Sequence, residues 1–146
     1  MYSLEQFTHP LPVSNTPLDV LLVRGRVQAG FPSPAEDLGA QRIDLAQLLI
    51  KHSQATYFVR ASGHSMVDAG IFDGDILVVD RAIKPRNTHI VVAVVDGEFT
   101  VKVLYQRAGR MKLKAASPTY PDITPKEGQT IEVWGVVTSA IKRFNV

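Results

Sequence analysis

The run Ser62-Gly63-His64-Ser65-Met66 holds the grouping with the clearest capacity for chemistry, a serine in a glycine-bearing turn. A serine hydroxyl is a poor nucleophile near neutrality. It reacts only where a base takes its proton and backbone N–H groups receive the oxyanion that forms. Gly63 permits a tight turn in which consecutive amides converge while Ser65 points into a cleft. The candidate base is Lys102, in the later run Glu98-Phe99-Thr100-Val101-Lys102-Val103-Leu104. His64 is set aside, because neighbours in an extended turn point apart and a general base must reach the proton it takes. Asp68, Asp73, Asp75 and Asp80 could be nominated to orient a base, but Asp73-Gly74-Asp75 reads better as a β-turn leading into the strand-like run Ile76 to Val79. Alternation puts Phe99, Val101, Val103 and Tyr105 on one face of the Lys102 segment and Glu98, Thr100, Lys102 and Leu104 on the other. A lysine on the polar face of a strand is ordinarily solvated, so the residues alone favour a plain loop serine and a surface lysine.

Resemblance shifts that balance. Over most of the chain, Ser62-Gly63-His64-Ser65-Met66, the Asp73-Gly74-Asp75 turn and Phe99-Thr100-Val101-Lys102 resemble the self-cleaving serine peptidases of the LexA/UmuD family. The resemblance implies that Ser65 attacks, Lys102 is the base, and the backbone N–H groups of His64 and Ser65 hold the oxyanion. It also implies a cut in the chain's own Ala29-Gly30 bond, within Val27-Gln28-Ala29-Gly30-Phe31-Pro32. Phe31-Pro32-Ser33-Pro34-Ala35 and Gln41-Arg42-Ile43-Asp44-Leu45 further resemble the UmuD branch.

The fold so implied is mainly β, a LexA/UmuD-type C-terminal peptidase domain of β-clip-like form with an extended N-terminal arm and one short helix. Residues 1–39 form the arm with the cleavage site, and 40–146 the β-rich peptidase and dimerisation domain. Five prolines, Pro10, Pro12, Pro17, Pro32 and Pro34, fall in an arm too short for the helix-turn-helix of a repressor. That selects the UmuD branch. The implied activity is self-cleavage stimulated by a RecA filament on single-stranded DNA. Its product is a homodimeric subunit of a UmuC-like Y-family DNA polymerase in the SOS response, with the sliding clamp a further candidate partner. The rival readings are a non-enzymatic polymerase or clamp adaptor and a phage- or plasmid-type repressor fragment.

Composition limits the remaining classes. With 146 residues, 45% apolar and 21% charged, there is material for one cored domain and a short appendage. Cysteine is absent, so there is no disulfide or thiolate chemistry. His9, His52, His64 and His89 lack metal-ligand spacing and read as surface or turn residues, so neither metal nor cofactor is expected. No apolar run approaches the roughly 20 residues of a membrane span, and Met1 to Phe7 lacks the basic start of a signal peptide, so the chain is expected in the cytoplasm. A net charge of +2 is too small to mark a nucleic-acid binder. Arg107, Arg110, Lys112 and Lys114 form one basic stretch, but without interleaved aromatics any role at DNA is expected to be indirect and not sequence-specific.

The elements that must position Ser65 and Lys102 are mostly strands. Alternation predicts strands over Thr56–Ala61, Asp75–Asp80, His89–Val95, Glu98–Gln106, Met111–Ala115, and Ile131–Phe144 in two pieces. Asp96-Gly97 and Ala108-Gly109 mark hairpin turns, and Pro118, Pro121 and Pro125 a long loop. Ile43–Lys51 is the one good helix candidate, with Asp44 as cap, Gln47 placed as in a capping box, and Leu45, Leu48 and Leu49 on one face for packing. Leu18 to Val27 is expected to add a strand or pack on the core. The mechanism implied for such a site makes the arm both substrate and lid. Its docking would desolvate Lys102 and make it neutral.

Overall fold

A computed structural model describes residues 16–30, 39–126 and 128–146. Among these residues, eight strands, one short helix and one 3₁₀ turn occur in the order β1 (Asp19–Val23), β2 (Ala40–Asp44), α1 (Leu45–Leu49), β3 (Thr56–Arg60), the 3₁₀ turn Val67–Ala69, β4 (Ile76–Asp80), β5 (Ile90–Val95), β6 (Glu98–Arg107), β7 (Arg110–Lys114) and β8 (Ile131–Ile141). The protein is therefore mainly β, as expected. Six strands form one antiparallel sheet in the order β3-β4-β8-β5-β6-β7, and β1 and β2 form a separate two-stranded ribbon. No helix among the described residues is long and apolar enough to cross a membrane.

Alternation along the central strands divides the core in two. Leu77, Val79 and Val92 pack with Met66 and Ile71 and are joined by Phe99, Val101, Val103 and Trp134. Val91, Ala93 and Val136 pack instead with Leu104 and Leu113. Both sides of β5 and of the Phe99–Leu104 part of β6 are thus covered. On the face of β6 expected to meet solvent, Glu98 does so, but Lys102 is 8% exposed and Leu104 1%. This burial is what alternation within a single strand could not reveal, because it depends on what packs over the sheet.

The last strand is one continuous element rather than two. Its neighbours explain this, since β5 pairs with the half from Ile131 to Val136 and β4 with the half from Val136 to Ile141. Opposite the steps Val78 to Val79 and Val92 to Ala93 the register skips Thr138 and Trp134, so β8 carries two bulges and continues through the change of partner without breaking. The proline-bearing loop between β7 and β8 is as expected, with an added bridge in which Ile123 and Leu113 exchange backbone hydrogen bonds of 2.7 and 2.8 Å.

The helix is shorter than predicted. Asp44 caps it, its carboxylate accepting from the Ala46 amide at 3.0 Å, but Ile43 and Asp44 are claimed by pairing with Val20 and Asp19 of β1. At the other end Ile50 returns to extended backbone. None of its residues is buried and Leu48 is 64% exposed, so the expected packing role is not what the helix does.

Leu18–Val27 does supply a strand, β1, but as half of a ribbon with Leu21, Leu22 and Val23 each at least half exposed. The pairing of β1 with β2 makes residues 24–39 the connection between two paired strands, with Ala29-Gly30 inside it. Residues 31–38, which include Pro32-Ser33-Pro34-Ala35, lie outside the described residues, as do Met1–Asn15 with Pro10, Pro12 and His9.

Both predicted hairpin turns form with positive φ at each central position, +48° and +83° at Asp96-Gly97 and +52° and +75° at Ala108-Gly109. These are the signs of the primed turn that matches strand twist. Alanine is a poor occupant of the left-handed region, whereas asparagine tolerates it. Ala108→Asn should stabilise the fold by about 1 kcal/mol, read as a raised urea midpoint with unchanged slope. An unchanged or lowered midpoint would show that the turn is not strained.

Candidate active site

The turn bearing Ser65 is pinned at both ends. Ala61 and the Gly74-Asp75 segment extend the β3–β4 pairing, Ala61 N–H donating to Asp75 C=O at 2.8 Å and Gly74 N–H to Ala61 C=O at 2.9 Å. The Asp73 carboxylate then reaches across the turn and accepts from the Gly63 amide at 2.8 Å. Gly63 has φ +93°, a conformation a side chain would resist. On the far side, Asp68 N–H donates to Ala116 C=O at 2.8 Å, and Met66 is buried in the core at 4% exposure. A loop held at these points leaves Ser65 one direction to face, toward β6.

There Lys102 Nζ lies 3.0 Å from Ser65 Oγ. The ammonium also donates to Thr100 Oγ1 at 2.9 Å and to Val101 C=O at 3.1 Å. Burial pushes the lysine's pKa below its ordinary value, since desolvation disfavours the charged form. Among the described residues no carboxylate pairs with Lys102 to oppose this. When the amine is neutral the bond reverses: the Ser65 hydroxyl donates to the nitrogen lone pair, the geometry needed for proton transfer.

The remaining predicted residues fall as follows. His64 is exposed on the turn. Neither its amide nor that of Ser65 is hydrogen-bonded to another described residue, which leaves both N–H groups available to an incoming oxygen. Ala29 and Gly30 are exposed in the β1–β2 connection, and Val27 is 88% exposed, so the bond between them is not enclosed by the site in this conformation.

The aspartates have separate duties. Asp80 pairs with His52 Nδ1 at 2.6 Å and accepts from Ala82 N–H. Asp75 bonds Lys142 and the Phe72 amide, and these two partners hold its pKa below the usual carboxylate range. His52 is exposed, as expected of a surface residue, and is hydrogen-bonded to Asp80. His89 accepts through Nδ1 from the Arg86 amide, a turn role as expected.

Two participants were missed. Thr100 was legible, because alternation already placed it two residues from Lys102 on the same face. Asp73 reads from the sequence as a turn residue. It is in a turn, with φ +89° at the following Gly74, but its carboxylate spans ten positions to Gly63, and nothing local in the sequence signals that bond.

Comparison with known proteins gives a consistent picture. The family described as "Peptidase S24-like" matches residues 21–138. Protein ImpA of Salmonella typhimurium is 48% identical over 122 residues, 84% of this chain and 83% of that protein. Protein MucA of Salmonella typhimurium is 44% identical over 118 residues, 80% of each chain. The LexA repressor of Paracidovorax citrulli is 38% identical over 138 residues, 94% of this chain and 60% of the repressor.

Proposed function

Because the chain belongs to the UmuD-like branch of the LexA/UmuD family of serine peptidases, we propose that Ser65 and Lys102 cut the chain's own Ala29-Gly30 bond. The observation that carries this reading is a buried lysine amine 3.0 Å from a serine hydroxyl, with no carboxylate on either among the described residues.

The steps follow from that pair. Neutral Lys102 takes the Ser65 proton as Oγ attacks the Ala29 carbonyl carbon, and the oxyanion is received by the N–H groups of His64 and Ser65. The lysine, now an ammonium, returns the proton to the Gly30 nitrogen as the peptide bond breaks. The freed Gly30 amine is the new N-terminus of the part that carries Ser65, and residues 1–29 stay attached through Ala29 as an ester on the Ser65 oxygen. Water then attacks this ester with Lys102 again as base, and the Ala29 carboxylate and free serine result. Thr100 Oγ1 and Val101 C=O hold the amine in line through both steps.

The substrate is attached, so the encounter is intramolecular, an advantage worth about 7–11 kcal/mol in the best model reactions. Control then rests on how often the exposed β1–β2 connection reaches Ser65. A RecA filament on single-stranded DNA would act by favouring that docked pose. Docking also covers the amine further, so the arm serves as lid as well as substrate. The cut chain, as a homodimer in the cytoplasm, would join a UmuC-like Y-family polymerase, with the sliding clamp a further partner, in SOS mutagenesis.

The test is the time course of the purified chain across a pH series, followed by mass spectrometry. Since the base must be neutral, the rate should climb about tenfold per pH unit below the depressed pKa of Lys102, and level off above it. The new N-terminus should be Gly30. A rate that never rises with pH across the series, or that falls as pH increases, excludes a lysine base. Complete resistance at every pH, with and without activated RecA, supports an adaptor without peptidase activity.

A further inference from the structure

The β6–β7 hairpin has two unlike faces. Residues directly opposite on paired strands share a face, and the register pairs Arg107 with Arg110, Tyr105 with Lys112 and Val103 with Lys114. Arg107, Tyr105, Arg110, Lys112 and Lys114 therefore stand together. The opposite face sends Leu104 and Leu113 into the core, at 1% and 0% exposure, with Met111 packed beside them. That packing locks the register, because a slip of one residue would exchange the two faces.

The cations are ordered as well as close. The Tyr105 ring lies 5.0 Å from Lys112 Nζ and 5.3 Å from Lys114 Nζ, within the range where a ring face attracts an ammonium. Arg110, Lys112 and Lys114 occupy alternate positions of one strand, so they are spaced roughly 7 Å apart in a row. Asp122, 3.4 Å from Lys112, is the one carboxylate paired with this face among the described residues. With a whole-chain charge of only +2, the four cations are a local concentration rather than a general excess.

We propose that this face binds the backbone of a single-stranded nucleic acid without reading its sequence. A row of evenly spaced cations complements a polymer of evenly spaced phosphates, and an aromatic ring among them offers a surface on which a base can stack. No asparagine or glutamine stands on this face to read base edges, since Gln106 points to the other. The binding stands independently of self-cleavage. It was hidden in the sequence because the aromatic residue is on β6 while the lysines are on β7.

The test uses the full chain and a fluorescein-labelled thymidine oligonucleotide, followed by anisotropy at rising sodium chloride. For three to four neutralised phosphates, log K should fall with log salt at a slope of about −2 to −3. Lys112→Gln with Lys114→Gln should weaken binding at least tenfold at low salt and reduce that slope by about 1.4. Tyr105→Leu should weaken it about fivefold or more. The control pair Lys51→Gln with Lys84→Gln, exposed cations elsewhere, should change affinity less than twofold. Unchanged urea midpoints establish that the variants remain folded. Absence of binding at low salt, an equal loss in the control pair, or preferential competition by polyglutamate would overturn the proposal, the last pointing to an acidic protein partner.

Discussion

Replacing Lys102 with methionine should stop self-cleavage while leaving the protein as stable as before, or more so, at neutral pH. Methionine nearly matches lysine in length and keeps the packing of β6, but has no amine to take a proton. General-base catalysis is worth about 10²- to 10⁴-fold, so cutting should slow by at least that range. Ser65→Ala removes the nucleophile and should give the same end point, no fragment beginning at Gly30 by mass spectrometry. Loss of both together should be no worse than either alone, because the two act as a unit. Undiminished cutting by either single variant would remove Ser65 and Lys102 from the mechanism.

The stability half of this expectation depends on sign. Lys102 has a folded-state pKa lowered by desolvation, so the unfolded chain holds its proton more tightly than the folded one. The resulting penalty is fully present below the folded pKa and fades as pH rises from there to the ordinary lysine value of about 10.4. The methionine variant carries no such penalty. Its advantage over the wild type in urea unfolding should therefore be greatest near neutrality and shrink in alkaline buffer. A gap that grows with pH would mean that the buried amine is favoured as a cation, and the case for a neutral base would fail with it.

Much of this arrangement was legible in order along the chain. The strand cores announced themselves through the uninterrupted apolar runs Val78-Val79 and Val91-Val92-Ala93, the mark of strands buried on both faces. Asp96-Gly97 fixed its hairpin because only a few residue types accept positive φ in succession, whereas at Ala108-Gly109 the glycine alone carried the signal. What stayed hidden depends on partners distant in sequence. The burial of Lys102 requires knowing that both sides of this part of β6 are covered. The ribbon β1–β2 joins strands separated by residues 24–39, too far apart for turn chemistry to signal the pairing. Ile43 and Asp44 fitted a helix by local pattern and were taken by that ribbon instead, a case of tertiary pairing overriding propensity. The Ser65–Lys102 contact came from resemblance, since alternation by itself argued for a solvated lysine.

The Asp73–Gly63 bond is the least visible of these from sequence and has the second large consequence. Asp73→Ala should slow self-cleavage by about 10²-fold, whereas Asp73→Asn, which keeps a carbonyl oxygen for the Gly63 amide, should retain most of the rate. The bond closes the turn between Gly63 and the start of β4, so its loss frees the segment carrying His64 and Ser65 to drift. A displacement of about 1 Å at a reacting atom is enough for a loss of that size. Asp73 is itself exposed, and removing one such bond should cost the fold only about 0.5–1.5 kcal/mol, too little to explain a hundredfold fall in rate by unfolding. The pH profile discriminates further. Asp73 does not touch Lys102, so the alanine variant should keep the wild-type midpoint while the plateau drops. A shifted midpoint would instead mean that the turn governs the lysine's burial. A wild-type rate in Asp73→Ala would mean that the Asp68–Ala116 bond and the buried Met66 suffice to hold Ser65 in line.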